Sequence, residues 1–314
     1  MTPPARWVLG VAIAVPVLGL VELVAHYAFT QRAPTQEQWA AAKPVIESLK
    51  QSDDLVVVAP RWAEPHGRVA LGETLMPLRD IARPDESRYA RVIELSAVGQ
   101  HLEEIRGWKI TQERPLDGGL LVRILENPSP AHVVTDFTDL VDEGRAQVSW
   151  VIQGQSQICP WRTPEVVVAP GLFGYPAMPS KRFACGREGW QSVGVTVQDD
   201  DHYYARRCVW SHPPSRGEAV IKFVGVQLGE VIRGHSGIHE TLAREQRGAP
   251  VDLEISVDGD VIGTAHHIDG QTWARSKFEF SLGSHASATN AEVTFRVLTR
   301  DANERHFCWE ADSR

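Results

Sequence analysis

Hydrophobic and polar positions divide the chain into three regimes. From Trp7 to Phe29 apolar residues run almost unbroken, interrupted by Pro16, Glu22 and His26. At about 1.5 Å of rise per residue, such a helix crosses a hydrocarbon core of roughly 30 Å once. Residues 7–29 are therefore expected to be a transmembrane signal-anchor, with 1–6 as a cytoplasmic tail. Trp7, Tyr27 and Phe29 suit the interfacial belts, and Glu22 lies within reach of the outer headgroups. A cleaved signal peptide is the rival reading, against which stand the length of the apolar region and the absence of an A-x-A site after it.

Between 35 and 130 helical and strand-like runs alternate. Thr35 to Lys50 has the period of an amphipathic helix, with Trp39, Val45, Ile46 and Leu49 facing inward. Leu55-Val56-Val57-Val58-Ala59 is a continuous apolar run behind Asp53-Asp54, as in a strand buried on both faces. Arg91 to Ser96 and Leu120 to Leu125 are two more strands, the latter entered through Asp117-Gly118-Gly119. Short helices fit into Leu71–Ala82 and Gln100–Trp108, and the βαβ order predicts a small three-layer α/β (Rossmann-like) domain with a parallel sheet.

Beyond residue 131 the period shortens to two. In Val251, Leu253, Ile255 and Val257 the apolar residues alternate with Asp252, Glu254 and Ser256, and Asp258-Gly259 supplies a two-residue hairpin turn. Similar runs at 133–137, 146–152, 192–197, 206–210, 219–228, 261–266, 277–282, 292–298 and 305–309, with one short helix near Glu240–Glu245, predict an antiparallel β-sandwich or jelly roll over 131–314. The expected class is α+β multidomain: transmembrane helix, α/β domain, sandwich.

Two resemblances attach to these runs. The Asp54–Pro60 strand, Tyr89–Ile93 and Val122–Leu125 make residues 50–128 resemble the small soluble extracytoplasmic domain of lipid-linked-sugar glycosyltransferases of the protein-mannosyltransferase type. That resemblance implies a place in cell-envelope glycan chemistry. Those transferases have many spans and carry their catalytic acids in an external loop, so a single-span relative would keep the accessory domain and lack the catalytic part. The C-terminal half resembles galactose-binding-like carbohydrate modules in architecture, which implies sugar recognition.

Cysteine placement sharpens the compartment. Cys159, Cys185, Cys208 and Cys308 all follow the apolar segment and none forms a C-x-x-C pair, which points to two disulfides in an oxidising, periplasmic space. Three connectivities are open. Cys159–Cys185 is favoured because it brackets a Pro-rich loop at 158–186, and Cys208–Cys308 because their strand-like ends, each with a nearby Trp, can lie as neighbours. The expected location is a single-pass inner (cytoplasmic) membrane protein with its bulk outside. A formal charge of -8 without a basic run argues against nucleic acid as a partner.

Candidate chemistry is sparse. The chain has no G-x-S-x-G, G-x-G-x-x-G, P-loop or H-E-x-x-H, so no catalytic residue, metal or cofactor is expected. Two clusters are candidate binding sites. After the first strand come Arg61, Trp62, Glu64, His66 and Arg68, which could hold a phosphate and stack a ring at the carboxyl end of a parallel strand. In the β half, Arg233 and His235, with His267, Asp269, Trp273 and Arg275, supply the aromatic face and planar hydrogen-bonding groups that sugars need. Gly234-His235-Ser236-Gly237 is read as a turn, and Asp199-Asp200-Asp201 as a solvated one. The leading expectation is a non-enzymatic envelope protein binding a glycan or a protein partner through its sandwich. The alternative is an accessory subunit or enzyme of lipid-linked-sugar transfer working through Arg61–Arg68.

Overall fold

The computed structural model describes residues 3–314 apart from 31–32, 164–177, 201, 203, 246–247 and 272. The chain forms a mixed α+β structure dominated by antiparallel pairing, in two compact units: residues 1–80 with 89–130, and 81–88 with 131–314.

The first unit begins with α1 (Pro3–Thr30), whose segment Gly10–Ala28 is long and apolar enough to cross a membrane. Then follow α2 (Gln36–Leu49), β1 (Leu55–Ala59), α3 (Glu64–Leu71), α4 (Leu78–Ile81, which ends at the border of the second unit), β2 (Arg91–Ala97), β3 (Lys109–Pro115) and β4 (Leu120–Glu126). A capping box starts α2: Thr35 Oγ1 accepts from the Gln38 amide at 3.3 Å, and Gln38 Oε1 accepts from the Thr35 amide at 2.8 Å. Its Trp39, Ala42 and Ile46 are buried.

The four-stranded sheet has the order β1-β2-β4-β3. Only β1 and β2 pair in parallel, while β4 is antiparallel to β2 and to β3. The expected parallel Rossmann-like sheet is therefore corrected to a mixed one. A parallel return needs a crossover of about a dozen residues or more; Gln100–Trp108 holds only a single turn at Glu103–Ile105, and the chain spends the rest of the connection on the unexpected edge strand β3. The layers are nevertheless distinct. Leu55, Val57 and Ala59 pack with Leu102 and Ile105 on one face. On the other, α3 lies so close that a Cβ on Gly67 would sit 2.4 Å from Val58 Cγ2. The short helix expected within Leu71–Ala82 is α4, a single turn at Leu78–Ile81 that follows after Gly72 ends α3 at φ +81°.

The second unit contains β5 (Thr135–Asp136), α5 (Phe137–Asp142), β6 (Gln147–Ile152), β7 (Gln155–Ile158), β8 (Trp161–Arg162), β9 (Arg182–Ala184), β10 (Ser192–Asp199), β11 (Ala205–Ser211), β12 (Gly217–Val226), β13 (Val231–Ile238), α6 (Glu240–Glu245), β14 (Val251–Val257), β15 (Asp260–His267), β16 (Lys277–Ser281), β17 (Ala291–Thr299) and β18 (Phe307–Ser313). The Val133–Phe137 run, expected as a strand, is one only at β5. From Phe137 it turns helical, capped by Asp136, whose Oδ1 accepts from the Asp139 amide at 3.1 Å.

Two antiparallel sheets share one core in a sandwich-like arrangement. One runs β16-β13-β18-β11-β10-β9-β8 with β5 beside β18; the other runs β15-β14-β17-β12-β6-β7. The alternation in β14 and β17 sends Leu253, Ile255, Val293, Phe295 and Val297 inward. Trp309 of the facing sheet stacks on Phe295, ring centroids 4.4 Å apart. Phe137 of α5 caps this stack, 5.0 Å from Phe295 and 5.1 Å from Phe223. Each such buried side chain stabilises the fold by about 1.5–3 kcal/mol relative to exposure. Asp258 and Gly259, at φ 50° and 92°, form the expected tight β14–β15 turn.

The disulfides are Cys159–Cys185 and Cys208–Cys308. The second joins adjacent strands, β11 and β18, in which Val209 faces Trp309 and Trp210 faces Cys308. The two tryptophans part company: Trp309 enters the inter-sheet core, while Trp210 is buried outside it, donating to the Trp190 carbonyl at 3.0 Å and packing on His306 at 5.0 Å. Of the Pro-rich loop, Pro164, Pro170 and Pro176 lie outside the described residues.

Candidate functional site

A cleft of about 330 Å³ opens in the second unit, lined by Gln198, Asp199, Asp200, Arg206, Gly237, Ile238, Ala243, Arg244, Gly270, Gln271 and Trp273. It is built where the end of β10, the start of β11, the end of β13, helix α6 and the loop after β15 converge. Its size is at the small end for ligand pockets, which run roughly from 300 to 1,000 Å³.

One wall is organised by Asp200. Its Oδ1 accepts from the amides of His202 at 2.9 Å and Tyr204 at 3.0 Å, and its Oδ2 accepts from Arg206 Nε at 2.9 Å. Asp200 is thus a buried turn-forming acceptor rather than the solvated acid expected from the sequence. Arg206 in turn donates through Nη1 to the carbonyls of Arg83 and Pro84, at 3.0 and 3.2 Å, and its Cζ lies 5.8 Å from the Tyr204 ring and 6.0 Å from the Trp273 ring. Its charge is neutralised inside the wall.

The opposite wall is Trp273, held in a single helical turn at Trp273–Ser276 against the Cys208–Cys308 disulfide. His235 stacks parallel to it at 5.5 Å, and a Cβ on Gly237 would come within 3.2 Å of its ring. The indole is only 7% exposed, so it offers no open face for a pyranose. Trp273 Nε1 and Gln198 Nε2 are both buried without a hydrogen-bond acceptor among the described residues, and both residues line the cleft. An unmade hydrogen bond on a buried donor costs about 1–3 kcal/mol.

The remaining expected residues have other employment. Arg233 and His235 lie in β13, a strand flanked by β16 and β18, and not in a turn. Gly234 is obligatory there, since a Cβ would stand 2.0 Å from the Glu310 carbonyl oxygen. Arg233 pairs with Asp85, and His235 Nδ1 is 2.7 Å from Glu310 Oε1. Asp269 accepts from Arg305 Nη1 at 2.5 Å and from the Gly248 amide at 2.9 Å, which latches two loops beside the cleft. His267 is fully buried with Nδ1 3.1 Å from Ser276 Oγ; burial holds its pKa down at about 4, with Asp269 opposing and Arg305 and His266 adding to the shift. The side chain of Arg275 lies outside what the structure describes.

In the first unit the Arg61–Arg68 cluster is not a loop. Arg61–Ala63 is one helical turn and Glu64–Leu71 is α3, with Pro65 placed in its first turn. Arg61 is tied to Glu104 at 2.5 Å and Arg68 to Glu73 at 2.8 Å, while Trp62 is 70% exposed. His66 and Glu64 also ride on α3. The structure thus brings Trp273 to the cleft and takes Arg61, Arg68, Arg233, His235, His267 and Asp269 into internal pairings. Gln198, Asp200, Arg206 and Arg244 were not anticipated. The available signal was Asp200 followed at six residues by Arg206, a pairing that folds a turn back on itself.

No family model matches the chain, and no curated protein matches it. Solved structures with partial likeness include the CBM51-2 and INT domains of Clostridium perfringens ZmpB (12% identity, 38% of this chain and 26% of that one, TM-score 0.28). The same domains in complex with GlcNAc match at 10% identity over 69% of this chain and 46% of that one, TM-score 0.29. Tandem CBM51 modules of Sp3GH98, a family 98 glycoside hydrolase of Streptococcus pneumoniae, match at 10% over 63% and 56%, TM-score 0.22. The chain spans less than half the length of the first two. No residue role is transferred from any of them, and the mannosyltransferase-type resemblance of residues 50–128 draws no support from these likenesses.

Proposed function

We propose that this protein is a single-span envelope protein, with its bulk in the periplasm, whose second unit is a jelly-roll module that binds a glycan in the Trp273 cleft. One observation carries the reading. Trp273 and Gln198 line a cavity of ligand size, and each has a buried N–H, at Nε1 and Nε2, without an acceptor among the described residues. A sugar presents the complementary groups, hydroxyl and ring oxygens on a small rigid body. Support for the location comes from α1 and from two disulfides that need an oxidising compartment. The transferase-accessory alternative draws less support, since ion pairs leave Arg61 and Arg68 engaged with Glu104 and Glu73.

The test is a glycan array probed with the full chain in detergent micelles, followed by titration of the best ligand. Trp273→Phe keeps a ring and removes the N–H; Gln198→Glu keeps the shape and replaces a donor by an acceptor. Each is expected to weaken binding about tenfold or more, the equivalent of one hydrogen bond lost at a buried donor. Absence of any glycan ligand for the parent chain, or unchanged affinity in both variants, defeats the reading.

A further inference from the structure

One end of the first unit gathers exposed apolar side chains next to the tether that leads to α1. Residues 31–35, five positions, join the last residue of α1 to the first of α2. At about 3.5 Å per residue they reach no more than roughly 20 Å. Whatever lies beside the start of α2 is therefore held close to the outer end of α1.

The sheet register identifies what lies there. The start of α2 is against the β3–β4 turn, since a Cβ on Gly118 would sit 2.2 Å from Gln38 Oε1. Gly119 accepts at its carbonyl from the Val98 amide at 3.1 Å, and Leu120 pairs with Ala97. The parallel β1–β2 pair ends at the same edge, with Ala59 opposite Ser96. Trp62 follows Ala59 by three positions, so Trp62 and Val98 share the end of the unit that begins α2. Their side chains are 70% and 57% exposed.

We propose that this end, through Trp62 and Val98, rests in the interfacial layer of the membrane that α1 crosses. Tryptophan suits that layer because its ring is apolar and its N–H can stay wet. The charges at this end do not form a basic patch: Arg61 is paired with Glu104, and Asp117 is acidic and exposed. Attachment is thus by partition of apolar surface, independent of anionic lipid and of salt. The inference rests on reading α1 as a span.

All four native cysteines are in disulfides, so one added cysteine can carry a fluorophore. The full chain is reconstituted in zwitterionic phosphatidylcholine vesicles with label at Trp62→Cys, Val98→Cys, Ile110→Cys or Leu20→Cys. Ile110 lies at the opposite end of the sheet, where β4 closes against Arg91. Lipid spin-labelled near the headgroup is expected to quench positions 62 and 98 but not 110, equally at low and high salt, and deep spin label is expected to quench position 20. Quenching at 20 with none at 62 and 98, or equal quenching at 62, 98 and 110, overturns the docking and leaves the span standing. No quenching at 20 overturns both.

Discussion

Two clusters of arginine, histidine, acid and tryptophan stood out along this chain, and the fold treats them oppositely. The Arg61–Arg68 cluster is contiguous, and contiguity spreads it over a helix surface where its arginines find nearby acids. The Trp273 cleft draws its walls from segments between residues 198 and 273, and two of its residues have buried donors without acceptors among the described residues. A site is made by what the fold leaves unfinished, and local density of polar residues is a poor guide to it.

The largest expected break between the two units is by acid. His212, His267 and His306 of the second unit are held at about 4 by burial; His306 adds to the shift at His212, where a backbone hydrogen bond with Arg305 works against it and the Arg305 charge adds less, and His239 and Arg305 add to it at His306. Their folded pKa lies below the unfolded value of about 6.5, so the unfolded chain takes up protons first as pH falls. Stability is full above pH 6.5 and declines toward pH 4, by up to about 1.4 kcal/mol per pH unit for each independent histidine. Hydrogen exchange read by mass spectrometry should show peptides of the second unit losing protection before those of the first. Parallel loss in both units contradicts the assignment.

A smaller effect is expected at the latch. Asp269→Ala strands the guanidinium of Arg305, which is 1% exposed, and should destabilise the second unit by about 3–5 kcal/mol in denaturant titration. Loss of glycan binding should accompany it, because the latched loop carries Gly270 and Gln271 of the cleft. The smallest effect sharpens the contrast: Arg61→Ala removes a pair whose acid, Glu104, is still about a third exposed, and should cost less than Asp269→Ala, with the proposed glycan binding unchanged.

Where periodicity was strict, the fold was legible. β14 and β17 alternate cleanly and the Asp258-Gly259 turn between β14 and β15 has one low-energy form, so strands and turn are found at the expected positions. Strand β13 was illegible because Val-Ile-Arg-Gly-His-Ser-Gly-Ile carries two glycines, a turn signature locally. Their reason is remote: Gly234 clears the backbone of β18 and Gly237 clears the ring of Trp273. Direction failed for β4, since apolar runs carry no sense of up or down and only the short β3–β4 connection decides it. The cleft was half legible. Trp273 was found by type, whereas Gln198 lies one residue past an expected strand and Arg206 was visible only as the start of another and by its spacing from Asp200.

The short strap 81–88 has a consequence for how this molecule can be divided. The chain leaves the first unit at Asp80, stitches Ala82, Asp85 and Ser87 onto β11, β13 and the C-terminal arginine, and then returns for Tyr89–Pro130. The two carbonyls that accept from Arg206 at the cleft, those of Arg83 and Pro84, therefore come from upstream of the whole second sequence block. Excision at residue 131 would strip the cleft wall of its backing, so residues 131–314 are not a transferable cassette, and shuffling them into another chain would require the strap to be supplied as well.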